Sequence, residues 1–178
     1  MSDLEPLRFL ASLQHLNCAY TQVSDLEPLR SLDRLETINL SGSQVCTIEP
    51  LRGLTSLRDL KFWNTQVNNL EPLRDLNSLY RLKCSQTSVR DLEPLVELQS
   101  LRTLDCGNLN IREFPRILLF SKTLQELYLL RASISGIPKE VFSSNSGLLN
   151  HNCLSSLRAH VLDLEVEALP INSVTILL

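Results

Sequence analysis

The chain has little of several things that would fix a function at sight. Aromatic residues make up 5% of its 178 positions, so the core must be built from aliphatic side chains. There are five glycines, at 42, 53, 107, 136 and 147. None falls in a dinucleotide fingerprint or in a phosphate loop followed by Lys and Ser or Thr. Positive charge is not in excess, since 17 Lys and Arg stand against 20 Asp and Glu for a net charge of −3. A basic face able to displace counterions from phosphates is therefore not expected, and no nucleic acid partner is implied. No apolar run approaches the roughly 20 residues needed to cross a bilayer. The opening Met1-Ser2-Asp3-Leu4-Glu5 lacks the basic and apolar regions of a signal peptide. These absences predict no membrane association and a cytoplasmic location. Cysteines number five, an odd count, and Cys18, Cys84 and Cys106 fall at spaced positions where other segments place Leu or Phe, so they read as small buried hydrophobes, which fits a reducing compartment.

What the chain has in quantity is leucine, 40 residues of it, and the leucines recur at fixed spacing. Leu4-Glu5-Pro6-Leu7-Arg8 returns at 26–30, 48–52, 70–74 and 92–96, each start 22 residues after the last. Between these come Leu13, Leu35, Leu57, Leu79 and Leu101, then Leu16, Ile38, Leu60, Leu82 and Leu104. Cys18, Leu40, Phe62, Cys84 and Cys106 follow, and Val23, Val45, Val67, Val89 and Ile111 close the set. The order L-x-x-L-x-[LCF]-x-x-[TS]-x-[VI] resembles the leucine-rich-repeat signature, with Thr21, Ser43, Thr65 and Thr87 where most such families place Asn.

The slots have physical reasons. In Thr37-Ile38-Asn39-Leu40-Ser41 apolar and polar residues alternate, which predicts a short strand with Ile38 and Leu40 inward and Thr37, Asn39 and Ser41 outward. In residues 25–32 Leu recurs at i, i+3 and i+6, which suits a helical turn or two with one buried stripe. Asp3, Asp25, Thr47, Asn69 and Asp91 precede these turns as cap formers. The Glu and Arg of each turn should form a solvated, weakly paired row. The predicted fold is an α/β solenoid. It is a leucine-rich-repeat horseshoe with parallel strands on the concave face, short helices or 3-10 turns on the convex face, and a C-terminal amphipathic capping helix.

Repeats are expected over 1–142 as about six units, with the spacing rising to 23 where Leu124, Leu127 and Leu129 follow Leu101, Leu104 and Cys106. There the outer segment changes to Phe114-Pro115 and Ile137-Pro138. A polar loop is expected at 143–151 and the capping helix at 152–168, with Asn152 as N-cap and Leu154, Leu157, Val161 and Leu164 on one face. A linker and apolar strand at 169–178 lead toward a domain outside the chain.

No catalytic constellation is present. His151, Cys153 and His160 lie near one another but lack a fourth ligand and zinc spacing, so no metal is expected. Asp and Glu recur at one slot per turn, as a solvated ladder does, and no cleft for acid–base chemistry is suggested. Neither a cofactor nor a small-molecule substrate is implied. Cys84 and Cys106 should lie on neighbouring strands, about 4.8 Å apart. That is close enough for a disulfide, but both occupy inward slots, and reduced core cysteines are the preferred reading.

Binding is expected on the concave row of outward strand residues, because curvature presents one extended row from all repeats. That row includes His15, Asn17, Ala19, Thr37, Asn39, Ser41, Ser85, Thr103, Gly107, Glu126 and Leu130. The single Trp63 stands beside Lys61, Arg81 and Lys83, and an exposed Trp ringed by basic side chains is the composition of an interaction hot spot. The alternative is cations packed on the ring without a partner. The candidate partner-binding residues are Asp59, Lys61, Trp63, Arg81, Lys83, Asp105 and Tyr128.

Two family resemblances follow from quoted motifs. Thr21-Gln22-Val23-Ser24-Asp25-Leu26-Glu27-Pro28-Leu29 and its copies resemble bacterial repeats of the internalin-like type, which implies binding alone. Asn152-Cys153-Leu154-Ser155-Ser156-Leu157-Arg158-Ala159-His160 with Asp163-Leu164-Glu165, then Val174-Thr175-Ile176-Leu177-Leu178, is similar to the junction in bacterial Roco proteins. In that family leucine-rich repeats join a Ras-like GTPase domain and a dimerisation domain. By that likeness residues 174–178 begin the first GTPase strand, and both ends of the chain look cut from a longer protein. The module would recognise partners or regulate the adjacent GTPase domain, without catalysis of its own. The alternative is a freestanding leucine-rich-repeat adaptor or a bacterial effector that binds a host protein.

Overall fold

A computed structural model describes residues 2–135 together with 154, 155, 157–160 and 162. Each repeat opens on a side chain that folds back on the backbone. Asp3 accepts the Glu5 amide at 2.8 Å, and Asp25, Thr47, Asn69 and Asp91 accept those of Glu27, Glu49, Glu71 and Glu93. Single 3-10 turns follow at Glu5–Leu7, Glu27–Leu29, Glu49–Leu51, Glu71–Leu73 and Glu93–Leu95. The leucine spacing explains why these are 3-10 and not α. Leu26, Leu29 and Leu32 fall three apart, which matches three residues per turn, and all are buried. Proline at the second position of each turn forgoes no hydrogen bond there.

The strands are β1 (His15–Asn17), β2 (Thr37–Asn39), β3 (Asp59–Lys61), β4 (Arg81–Lys83), β5 (Thr103–Asp105), β6 (Asn110–Ile111), β7 (Glu126–Tyr128) and β8 (Ser133–Ile134). Six of them form one parallel sheet in the order β1-β2-β3-β4-β5-β7. A second, two-stranded parallel sheet pairs β6 with β8. Registers follow the repeat, so Leu16, Ile38, Leu60, Leu82, Leu104 and Leu127 lie in one row. Behind them Cys18, Leu40, Phe62, Cys84, Cys106 and Leu129 form a second buried row. The Cys84 and Cys106 sulfurs lie 3.8 Å apart as thiols. Burial pushes the Cys106 thiol well above the ordinary cysteine range, reinforced by Cys84. Cys18 is buried as well, whereas Cys46 is exposed.

After β6 the outer segment changes as its sequence does. Phe114-Pro115 leads into an α-helix, α1 (Arg116–Leu119), which buries Leu118 and Leu119. The described residues between 154 and 162 are helical, with Leu154 and Leu157 in the core. Arg158 donates from Nε to the Leu119 carbonyl at 2.7 Å and from Nη2 to the Ser121 carbonyl at 3.1 Å. It thereby meets carbonyls that the end of α1 leaves unpaired. Outside the described residues lie Ile137-Pro138, the 143–151 loop, Asn152, Val161, Leu164 and the 169–178 segment.

Some outward positions prove buried. Ser41, Thr103 and Gly107 were expected to face solvent, yet Ser41 is 1% and Thr103 5% exposed, and Gly107 is buried too. Thr103 is drawn in by its hydrogen bond to Glu126. Ser41 belongs to the repeat spanned by a ring contact between the repeats on either side, described below. The first layer departs the other way. Leu13 and Leu16 are only partly buried and Leu10 is 46% exposed, because one side of this layer has no neighbouring repeat in the structure.

Candidate interaction face

The register arranges the strand-face residues in two columns. One runs His15, Thr37, Asp59, Arg81, Thr103, Glu126, and the other Asn17, Asn39, Lys61, Lys83, Asp105, Tyr128. The first column is joined pairwise. His15 Nδ1 lies 2.9 Å from Thr37 Oγ1, Arg81 Nη1 donates to Asp59 Oδ2 at 3.0 Å, and Thr103 Oγ1 donates to Glu126 Oε2 at 3.1 Å. Lys61 Nζ reaches across to the same Asp59 oxygen at 3.4 Å. Asp59 therefore holds two cations with one oxygen while its buried Oδ1 has no partner.

The second column is used differently. Asn17, Asn39 and Asp105 each bend back to accept the amide two residues on, at Ala19, Ser41 and Gly107, all at 3.1 Å. Among the described residues Lys83 forms no ion pair, although Asp105 is its register neighbour. At the far end, burial raises the Tyr128 phenol above its ordinary range, and the charge and hydrogen bond of Glu126 raise it further. The structure thus brings Asp59, Lys61 and Arg81 into one cluster, sets Lys83 beside it, and places Asp105 and Tyr128 one and two strands beyond.

Trp63 does not sit as expected. It is half-buried, and its ring meets Tyr20 edge-on, with centroids 5.6 Å apart at 78°. Tyr20 and Trp63 belong to the first and third repeats, so their contact spans the second. Gly42 makes this possible, since a Cβ there would stand 2.7 Å from the Tyr20 ring. The guanidinium groups that do lie over a ring, those of Arg81 and Arg102, lie over Tyr80 at 5.9 and 5.4 Å. Among the described residues no guanidinium or ammonium lies over the Trp63 ring, so the reading of cations packed on that ring does not hold. The small residues at 41 and 42 let it turn toward an aromatic partner instead.

Two features escaped the sequence reading. Position 20 of every repeat is left-handed, with φ near +55° at Tyr20, Asn64, Gln86, Asn108 and Arg131 and +67° at Gly42. Gly42, Asn64 and Asn108 at the 22-residue spacing are the readable trace of that backbone. The second is a groove of about 590 Å³ at the entry edge of the strands, lined by Arg58, Tyr80, Arg81 and Arg102 with Asp59 and serine and threonine hydroxyls. Asp59 and Arg81 belong to the concave row, but Arg58, Tyr80 and Arg102 lie one step before the strands, where the concave-row argument does not look. Among the described residues no three His, Cys, Asp or Glu converge as for a metal, and no helix is long and apolar enough to cross a membrane. Of the three residues weighed for zinc, His151 and Cys153 lie outside the described residues, and the buried His160 Nε2 has no hydrogen-bond partner among the described residues.

A family model described as Leucine Rich repeats (2 copies) matches residues 11–53. No curated protein matches the sequence. Among solved structures, an internalin (InlF) from Listeria monocytogenes is 25% identical with a TM-score of 0.68, over 75% of this chain and 46% of that one. Internalin C2 (InlC2) of the same species is 30% identical with a TM-score of 0.70, over 72% of this chain and 57% of that one. The functional domain of InlJ, also from Listeria monocytogenes and described as including a cysteine ladder, is 18% identical with a TM-score of 0.64, over 78% and 29%. The last likeness speaks to fold alone, and the chain spans 46%, 57% and 29% of these three proteins. Parallel strands in register, a 3-10 turn in each of the first five units and these neighbours make the chain a leucine-rich-repeat solenoid, a fold that is typically non-catalytic and generally serves protein–protein interaction.

Proposed function

We propose that this chain is a non-catalytic binding module that takes a protein partner on the strand face, the concave side of the solenoid. Asp59, Lys61, Trp63, Arg81 and Lys83 form the centre, with Asp105 and Tyr128 at the edge. The observation that carries this reading is the division of labour around Asp59. One carboxylate pairs with both Lys61 and Arg81 and holds them in place with a net positive charge, while Lys83 stays unpaired among the described residues. Within two residues of Lys61 in the chain, the Tyr20–Trp63 pair supplies an amphipathic edge. Aromatic and basic side chains fixed before contact lose little conformational freedom on binding, which is the usual make-up of an interface centre.

The setting has two candidates. The motif in residues 152–165 supports the repeat part of a Roco-type GTPase, cytoplasmic and engaged in signalling, which recognises partners or regulates an adjacent GTP-binding domain. The internalin structures support the alternative equally well, a freestanding adaptor or bacterial effector that binds a host protein. Reading the coding sequence beyond Leu178 separates them. A G-x-x-x-x-G-K-[ST] within the next dozen or so residues supports the first, and a stop codon removes it. The binding face itself is tested with Trp63→Ala combined with Lys83→Glu. Affinity for a verified protein partner, by calorimetry, should fall about tenfold or more, which is about 1.4 kcal/mol, with the melting curve unchanged. Unchanged affinity rejects the face.

A further inference from the structure

Residues 58, 80 and 102 occupy one slot in three successive repeats, each just before a strand. The backbone fixes them side by side. The Tyr80 and Arg81 amides both donate to the Arg58 carbonyl, at 2.8 and 3.0 Å, and the Arg102 and Thr103 amides both donate to the Tyr80 carbonyl, at 2.9 and 3.2 Å. Tyr80, 41% exposed, has two guanidinium groups near its ring, Arg102 at 5.4 Å from its centroid and Arg81 at 5.9 Å. The three arginines, with Tyr80, line the groove of about 590 Å³.

The chemistry of this lining is one-sided. Three arginines face a single charged acceptor, Asp59, whose Oδ2 already holds Arg81 and Lys61. Arg58 and Arg102 are exposed and form no ion pair among the described residues. A whole-chain charge of −3 makes this local concentration a property of the site and not of bulk composition. Arginine forks match carboxylates bidentately, and stacking on an aromatic face holds a fork in place before its partner arrives. The hydroxyls that line the groove add further donors.

We infer that this groove binds an acidic segment of a protein partner, with Arg58 and Arg102 gripping aspartate or glutamate side chains and the Tyr80 ring positioning the Arg102 fork. The inference rests on the reading of the chain as a protein-binding module, but not on the Trp63 and Lys83 patch. Arg58 lies one residue before β3 and Trp63 two residues after it, so the groove's Arg58 and the patch's Trp63 stand at opposite ends of the strand, while Asp59 and Arg81 belong to both sites.

A fluorescein-labelled decaglutamate peptide, followed by fluorescence anisotropy, tests the groove. The native chain should bind it saturably and more weakly as salt rises. Arg58→Gln with Arg102→Gln should weaken binding about tenfold or more, whereas Arg34→Gln with Arg90→Gln, which removes the same charge at exposed positions outside both sites, should change it less than about twofold. Absence of saturable binding, or equal weakening by both pairs, overturns the inference. So does tighter binding of a single-stranded oligonucleotide or of a phosphoserine peptide of matched charge. A chain that binds a verified protein partner but not decaglutamate rejects the groove and leaves the module reading standing. Decaglutamate binding through Arg58 and Arg102 supports the groove whatever the Trp63 and Lys83 variant does.

Discussion

Thr21, Thr65 and Thr87 each donate Oγ1 to the carbonyl three residues back, at Cys18, Phe62 and Cys84, all at 2.7 Å. This is what the hydroxyl does in the slot most leucine-rich repeats give to Asn. It satisfies a carbonyl at the corner where the chain leaves the sheet. Ser43 occupies the same slot, is buried, and has no partner for its hydroxyl, and Ser41 beside it has none either. Threonine's branched Cβ restricts χ1 and holds the hydroxyl where serine's is free to rotate away. Ser43→Thr is therefore expected to stabilise the fold by about 0.5–1.5 kcal/mol, the net worth of one hydrogen bond. Urea unfolding checks it: the midpoint should rise with the slope unchanged, and a lower midpoint would mean that the corner under the Tyr20 ring has no room for the methyl group. The hydroxyl slot was legible in the sequence. The left-handed corner beside it was hidden, because Tyr20, Gln86 and Arg131 are residue types that rarely adopt positive φ and so give no sign of it.

The 3-10 turns show where element-scale expectation and outcome part. A weakly paired charge row was expected, but Arg8, Arg30, Arg52 and Arg74 each bind both oxygens of the Glu three residues earlier, through Nε and Nη2. The 3-10 geometry is the reason, since residues i and i+3 eclipse and the two side chains run parallel. Val96 ends the series in the fifth repeat. Hydrogen bonding to Arg holds the carboxyls of Glu5, Glu27, Glu49 and Glu71 below their ordinary range, all at the surface. A carboxyl whose folded pKa is depressed contributes stability above its unfolded pKa, about 4.3, and loses it as pH falls through the lower folded value. Glu27→Gln with Glu49→Gln should therefore be less stable than the native chain at neutral pH and should lose less on acidification below about pH 4.3. Denaturant midpoints measured across that range decide it, and high salt should narrow the gap because these pairs are exposed. Strands, caps and turn positions were readable because alternation, Asx chemistry and three-residue leucine spacing are each local. The switch to α1 was readable only as a change of motif.

At the scale of the whole molecule, the two columns of the strand face became legible once the 22-residue register was known, which is why Asp59, Lys61, Arg81 and Lys83 were found together. The direction of Trp63 was not legible. It depends on Tyr20, 43 residues away, and on the missing side chain of Gly42 between them. The groove stayed hidden because Arg58, Tyr80 and Arg102 precede the strands, although Arg81 and Asp59 were in view. The array itself has a further consequence. The Tyr20–Trp63 contact apart, each layer of the core packs on its neighbours, so the worth of a core leucine should depend on whether a layer stands on both sides of it. Leu60 is fully buried between β2 and β4, whereas Leu16 in β1 has a layer on one side and is partly exposed. Leu60→Ala is expected to cost about 2–5 kcal/mol and Leu16→Ala less than about half of that. Hydrogen exchange distinguishes the two in space. In Leu16→Ala the Cys18 amide, bonded to the Asn39 carbonyl, should exchange faster while the Phe62 and Cys84 amides, bonded to Lys83 and Asp105, stay protected. In Leu60→Ala protection should fall on both sides of β3. Equal costs for the two substitutions, or uniform loss of protection in Leu16→Ala, would show that the solenoid opens as one block and not layer by layer from its end.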